Sequence, residues 1–527
     1  MIKFENEHTV RKFMISKGEE EFQNRYSEAV IDIKSQFGRK YTMIIDGEDV
    51  KSAKTFVHTS PIDTRIILGH FPNGNPGHVR AAIKAAKRSF IEEWGKTDYK
   101  YRIQICKDAA DIIANRKFEL AAWVSYENGK NRYEAIADVD EAVDFIRYYS
   151  EVIQRNNGFT VETSKAEPNE ESKSVMKPYG VWGVITPFNF PAAILVGMSI
   201  GALITGNTVV LKPASDTPII GYLFAKIMKE AGLPDGALNL ITGSGDIIGK
   251  AIVGSKDIAG IVFTGSKEVG YKMIKENNNN KANPRPIIAE MGGKNPVIVT
   301  ENADIDKAVE GVLKAAFGYS GQKCSACSRV YIHRNIKRVF MERLVHRTKN
   351  LTVGNPLEPN AFMGPLINSK AYNKYQKFSK VAFRDGNVLV GGAVKNNGEF
   401  KYGYYIEPTI VDGLPKNHRL FKEELFVPIL CVAEYDEYKD VLDLCNGSEY
   451  GLTAGIYSNN KEEIESFLDN VEAGVIYVNR HTSATTGAMV GCQSFGGWKA
   501  SGTTGKGTGG PYYLTQFLRE QSQTIAK

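Results

Sequence analysis

Cys324 lies in Gly321-Gln322-Lys323-Cys324-Ser325-Ala326-Cys327-Ser328-Arg329, a thiol among small and polar residues between a predicted helix (305–317) and a strand-like run (329–332). A cysteine held partly exposed at such a junction can act as a nucleophile, its thiolate favoured by a helix end or by Lys323 beside it. The same residue can be a small packing hydrophobe. With Cys327 it also forms a C-x-x-C pair able to hold a metal or a disulfide. Partners elsewhere in the chain decide among the three.

Candidate partners recur at strand-like ends. Glu290, in Ala289-Glu290-Met291-Gly292-Gly293-Lys294, precedes two glycines that give its carboxylate room to swing and act as general base, or is a solvated strand-end carboxylate. Asn189, in Thr186-Pro187-Phe188-Asn189-Phe190-Pro191, can donate an amide to a developing oxyanion or organise the turn. Lys212, in Leu211-Lys212-Pro213-Ala214-Ser215, stands where nucleotide hydroxyls or phosphates would lie, or is solvated. Gly243-Ser244-Gly245-Asp246-Ile247-Ile248-Gly249 leads from a strand into a helix, as a dinucleotide phosphate site does. Its G-x-G-x-x-x-G spacing is one residue longer than the usual fingerprint, and a plain turn fits equally. Phe263-Thr264-Gly265-Ser266 is a second such junction, its serine capping a helix or donating to a phosphate. Each residue alone reads as turn, cap or solvated charge; what weakens those readings together is that all fall at ends of strands in one sheet.

The elements behind these ends are regular. Strand-like runs at 181–185, 208–211, 237–241, 260–263 and 286–289 alternate with helix-like runs at 191–204, 218–231, 246–253 and 268–276, which predicts βαβ units and a parallel sheet with its ligand at the carboxyl ends. Packing helices are expected before it, at 19–37, around Val79, Ile83, Ala86 and Phe90, around Ile103, Ala110, Ile113 and Ala114, and at 139–153. Residues 158–178 read as a two-stranded excursion. After Gly293 the alternation resumes with strands at 296–299, 329–332, 388–390, 409–411 and 428–432 and helices at 305–317, 339–347 and 461–470, predicting a second α/β domain across a cleft, then a strand-like 512–518.

A chain of 527 residues exceeds one core. Its net charge of +6 is small against 66 basic and 60 acidic residues, which indicates no nucleic-acid or membrane partner. Six scattered cysteines point to a reducing compartment rather than a disulfide framework, and no secretion signal or long apolar run is expected, so a cytoplasmic location is read.

Six ordered motifs carry a resemblance: Pro187-Phe188-Asn189-Phe190-Pro191, Lys212-Pro213-Ala214-Ser215, Phe263-Thr264-Gly265-Ser266, Glu290-Met291-Gly292-Gly293-Lys294, Gly321-Gln322-Lys323-Cys324 and Glu423-Glu424-Leu425-Phe426-Val427-Pro428. The chain resembles the aldehyde dehydrogenase superfamily from about residue 40 onward. Ser325, the 486–497 stretch and the glycine-rich 500–513 stretch look like the branch that oxidises glutamate gamma-semialdehyde to glutamate in proline breakdown. The resemblance implies Cys324 as nucleophile, Asn189 and the Cys324 amide around the oxyanion, and Glu290 as the base of thioester hydrolysis. It implies NAD, with NADP open, held by Ile185, Thr186, Pro187, Lys212, Ser215, Gly245, Gly249, Phe263, Gly265, Ser266, Glu424 and Phe426. It implies a substrate carboxylate at Ser325, Gly487 and Ala488, with Phe190 and Phe495 around the aliphatic chain, and no metal.

The fold implied is α/β: an N-terminal part of the cofactor domain (1–157), an oligomerisation hairpin (158–178), a Rossmann-type cofactor domain (179–291), a catalytic domain (292–500) and a C-terminal oligomerisation strand and tail (501–527), in a homo-oligomer of at least two chains. Departures from the family pattern are Ser215 where a ribose-binding glutamate is common, Val427 for a glycine before Pro428, Ser494 for a proline, and the 479–486 loop. Succinate or 2-oxoglutarate semialdehyde stands as the alternative substrate, and a catalytically silent binding relative as the alternative of another class.

Overall fold

The computed structural model describes residues 4, 5, 9, 13, 18–278, 284–481 and 489–527. Its first seven-stranded sheet runs in the spatial order Ile287–Glu290, Gly260–Thr264, Val181–Ile185, Thr208–Lys212, Leu238–Leu240, Met43–Ile45, Glu48–Val50. The first five are mutually parallel, and the N-terminal pair extends the sheet antiparallel, with Leu240 opposite Ile44. Runs such as Val-Trp-Gly-Val-Ile and Thr-Val-Val-Leu-Lys are buried at every position, because helices cover both faces and an alternating pattern would bury polar side chains.

The edge strand Ile287–Glu290 is closed by the C-terminal stretch: Thr503 N–H donates to Ala289 O, Ala289 N–H donates to Thr503 Oγ1, and Glu290 bridges to Gly502. An open edge there would present unpaired amides beside the base candidate.

The second seven-stranded sheet is ordered Asn387–Val390, Thr409–Asp412, Ile429–Tyr435, Cys327–His333, Asn295–Val299, Thr453–Tyr457, Val475–Val478, parallel except for the first strand. Thr160–Glu162 and Glu170–Pro178 form the expected excursion, and Leu518–Ala526 pairs along Glu170–Pro178 over nine residues.

That last strand corrects the reading at 512–518. Tyr513–Phe517 is a short 3-10 helix whose aromatics are drawn into the core, Tyr513 stacking on Tyr149 and Phe517 against Trp182. The polar run after it makes the strand. Helix Ile305–Phe317 forms as read, its N-terminus capped by the Asp304 carboxylate accepting from Lys307 N–H. Helix Lys117–Asn128 was not anticipated, nor were Ser369–Asp385, Tyr438–Asn446 and the strands Thr453–Tyr457 and Val475–Val478.

Candidate active site

The cleft takes the carboxyl ends of the first sheet and the amino ends of the second. In the first sheet the order reverses between Val181–Ile185 and Gly260–Thr264, the switch point at which open parallel sheets bind ligands. Thr186 follows one of these strands and Gly265 the other. Thr186 Oγ1 is buried with no hydrogen-bond partner among the described residues. Lys212 is buried, its Nζ donates to Pro213 O at 2.8 Å, and burial lowers its pKa to about 8.

A Cβ on Gly245, at the start of helix Gly245–Gly254, would come into ordinary contact with Lys212 Cε at 4.0 Å, so the helix N-terminus and the lysine lie side by side. An orphaned hydroxyl, a buried ammonium with a main-chain acceptor and a helix N-terminus beside that lysine fit a dinucleotide. The other expected cofactor residues divide. Ser215 Oγ donates to Gly243 O at 3.0 Å and ties the two loops together. Ser266 Oγ accepts from Val269 N–H at 3.4 Å, capping the helix that follows. The Ile185 and Phe263 side chains are buried in the core, and the Phe263 ring lies under Gly265. Pro187 is half-buried beside Thr186. Gly249 packs its helix beside Ile185, whose Cδ1 lies 3.9 Å from where a Cβ would be, an ordinary contact.

The cysteine loop is shaped by side chains from far along the sequence. Tyr319, Ser320 and Gly321 take left-handed backbone angles in succession, with φ of 47°, 54° and 68°. Such a run costs energy at the two non-glycine positions and persists only where surroundings fix it. Here Tyr319 OH donates to Asn128 O (3.0 Å), Ser320 Oγ donates to Gly364 O (2.7 Å), and Ile367 N–H donates to Gln322 Oε1 (2.9 Å). A Cβ on Gly321 would lie 2.9 Å from Pro428 Cα, so only glycine lets the loop touch 427–428. Asn295 Nδ2 donates to Cys324 O (2.7 Å) and Ala326 O (2.9 Å) and holds the loop at the amino end of Asn295–Val299.

The result presents the half-buried Cys324 thiol to its own amide and that of Ser325. Burial, followed by the negative charges of Glu424 and Glu290, pushes the thiol up to about 12. This corrects one expectation. Lys323 does not favour the thiolate, because its Nζ turns away to Glu134 Oε1 at 2.6 Å. Cys327 is buried in the second core, its Sγ 3.5 Å from Arg329 O.

Asn189 is buried and its Nδ2 donates to Gln322 O at 3.2 Å, which places the amide against the cysteine loop. Glu290 is buried, accepts from Gly497 N–H at 3.0 Å, and is raised to about 8 by burial, partly offset by that amide. Glu424 Oε1 accepts from Gly293 N–H at 3.0 Å, and a Cβ on Gly292 would lie 2.1 Å from its other oxygen. Burial raises the Glu424 carboxyl above its ordinary value, against the pull of the Gly293 amide. Phe426, at φ 59°, meets Phe188 edge to face at 5.8 Å.

Phe190 and Phe495 are half-buried, and Ser325 is buried with its carbonyl accepting from Thr453 Oγ1 at 3.3 Å. Gly487 and Ala488 lie outside the described residues. Sequence reasoning missed Asn128, whose Nδ2 donates to Phe188 O at 3.3 Å, and Lys130, whose Nζ lies 3.6 Å from the Phe190 ring centre and 3.0 Å from Asp138 Oδ2. The local signal there was the turn-like Asn-Gly-Lys-Asn, but nothing local says what such a turn touches. It also missed Asn295 and Gln322 as supports of the loop.

The profile of the aldehyde dehydrogenase family matches residues 49–523. The 1-pyrroline-5-carboxylate dehydrogenase of Geobacillus thermodenitrificans is 38% identical over 505 residues, 95% of this chain and 95% of that protein. The protein of the same name from Bacillus subtilis is 36% identical over 508 residues, 95% and 96% of the two chains. The solved 1-pyrroline-5-carboxylate dehydrogenase from Thermus with bound NAD aligns with a TM-score of 0.91 at 35% identity, covering 96% of each chain. Betaine aldehyde dehydrogenase from Staphylococcus aureus, in complex with NAD+, aligns at 0.88 with 28% identity over 94% and 96%. With a thiol, two carboxylates and an amide gathered beside the switch point of the first sheet, and a family profile spanning most of its length, the chain belongs to the aldehyde dehydrogenase family.

Proposed function

We propose that this chain oxidises L-glutamate gamma-semialdehyde, the open form of 1-pyrroline-5-carboxylate, to L-glutamate with NAD, in proline catabolism. The observation that carries this reading is identity of 38% and 36%, over 95% of the chain, to relatives named for that compound. The geometry supports the same chemistry. Once its proton has passed to solvent, Cys324 Sγ adds to the aldehyde carbon to give a thiohemiacetal oxyanion that takes hydrogen bonds from Asn189 Nδ2 and the Cys324 amide, and loss of the carbon-bound hydrogen as hydride then leaves a thioester. NAD, when bound, supplies the hydride acceptor. Lys212, Thr186 and the N-terminus of helix Gly245–Gly254 hold it, and Glu424 and Phe426 border the ribose and nicotinamide end.

Burial, followed by the charges of Glu424 and Glu290, holds the thiol of the cofactor-free chain protonated, and in that state Glu424 accepts from Gly293 N–H. The remaining thioester is hydrolysed by water that gives its proton to Glu290, which releases the acid and restores the thiol. A base raised to about 8 suits that step, since it is ionised in mildly alkaline solution and basic enough to accept a proton. Ser325 anchors the substrate carboxylate, and Phe190 and Phe495 flank its chain. A carboxylate buried there without donors would be strongly disfavoured.

The test is NADH formation with glutamate, succinate and 2-oxoglutarate semialdehydes, each with NAD and NADP. The glutamate compound with NAD is expected to give the highest kcat/KM, and equal rates across the panel would remove the substrate assignment. The arm of Thr160–Glu162, Glu170–Pro178 and Leu518–Ala526 docks on a partner copy in a homo-oligomer of at least two chains. Deleting 518–527 is expected to yield monomers by light scattering, and an unaltered mass would count against the arm. The free cysteines suit a reducing, cytoplasmic setting.

A further inference from the structure

The last two residues of helix Lys117–Asn128 touch both halves of the cleft. Glu127 is fully buried, and its two carboxylate oxygens accept from Ile219 N–H at 2.8 Å and Ile220 N–H at 3.1 Å. Those amides open helix Pro218–Glu230, whose own N-cap residue, Thr217, provides no side-chain cap. A carboxylate on two first-turn amides satisfies orphan donors and meets the positive end of the helix dipole. This helix begins one residue beyond the loop 212–217 that carries Lys212 and Ser215. Behind the carboxylate, His58 Nε2 lies 3.0 Å from Glu127 Oε1, both side chains being almost wholly buried.

Asn128 acts on the other half. Its Nδ2 donates to Phe188 O, next to Asn189, and its carbonyl accepts from Tyr319 OH in the strained approach to Cys324.

We propose that Glu127 and Asn128 are paired positioning residues, Glu127 fixing the nucleotide loop 212–217 through the helix it caps, and Asn128 fixing the oxyanion turn and the cysteine loop against each other. One helix end thereby sets the distance between cofactor and nucleophile. This rests on the assignment of the cleft to NAD. A substitution at Glu127 loosens cofactor binding and leaves turnover at saturating NAD nearly intact, whereas one at Asn128 does the reverse.

The experiment measures NAD dissociation constants by fluorescence titration of the full chain, together with kcat at saturating NAD and melting temperature, for wild type, Glu127→Gln and Asn128→Ala. Glu127→Gln is expected to raise the NAD Kd about tenfold, the scale of losing a helix cap, with kcat within about twofold. Asn128→Ala is expected to lower kcat about tenfold with Kd within about twofold. If either chain fails to fold, Glu127→Asp and Asn128→Ser read the same two quantities. Unchanged Kd at position 127, or both quantities moving together in both variants, overturns the proposal. Wild-type protein that binds no NAD overturns the proposed function and this inference with it, and is recognised before any substitution is made.

Discussion

The two seven-stranded sheets reach the cleft by opposite ends of their strands. The first contributes Glu290 and Lys212, each the last residue of its strand, and Thr186 and Gly265, each just past one. The second contributes Asn295 and Thr453, each the first residue of its strand, with Cys324 and Phe426 three residues ahead of theirs. Carboxyl ends are where parallel topology leaves helix N-termini and a switch-point crevice, so the first sheet's share follows from its connectivity. Amino ends offer no such crevice. The second sheet's share is built from side-chain supports instead: Asn295 on the Cys324 carbonyl, Gln322 on Ile367, Ser320 on Gly364 and Tyr319 on Asn128. A nucleotide needs a long, generic cradle, whereas a nucleophile needs one atom in one place.

Substitutions can separate the two contributions. Cys324→Ala should remove the second sheet's chemistry, lowering turnover by at least about 10⁴-fold while NAD still binds, and substantial residual turnover would move the nucleophile elsewhere. Glu290→Gln should slow hydrolysis about 10²–10⁴-fold. In the wild type, Glu290 is protonated below about pH 8 and ionised above it, so hydrolysis-limited kcat should climb as pH rises through about 8 and level off beyond. That limb should vanish in the Gln variant, and its persistence would assign it to another group. Asn189→Ala should cost about 10²–10³-fold in kcat, the scale of one oxyanion donor, with NAD binding unchanged. Smallest is Lys323→Met. Because Lys323 pairs with Glu134 rather than the thiol, the pH at which cofactor-free Cys324 becomes alkylated should stay within about half a unit, and an upward shift would restore Lys323 as an activator.

The same division decides what was legible in the sequence. Val181–Ile185, Thr208–Lys212 and Gly260–Thr264 were readable because short runs buried on both faces alternate regularly with helical runs. The strand ends that carry Glu290 and Lys212 came with them. Helix Lys117–Asn128 escaped because eleven of its residues are buried and it has no polar face to produce a helical period. The positioning residues Glu127 and Asn128 were lost with it. Lys323 misled for a related reason: it is adjacent to Cys324 in sequence, yet its partner Glu134 lies 189 positions away. The 512–518 stretch read as a strand because aromatics favour strands, and burial against Tyr149 and Trp182 overrode that preference.

The central claim is that Cys324, brought by the second sheet, forms a covalent acyl intermediate that Glu290, brought by the first, hydrolyses. Mixing Glu290→Gln protein rapidly with glutamate gamma-semialdehyde and NAD, and measuring the NADH burst alongside peptide masses after acid quench, tests it directly. A burst of about one NADH per active site, with a glutamyl adduct on the peptide containing Cys324, is the expected result. No burst, or an adduct on a peptide lacking Cys324, would contradict it.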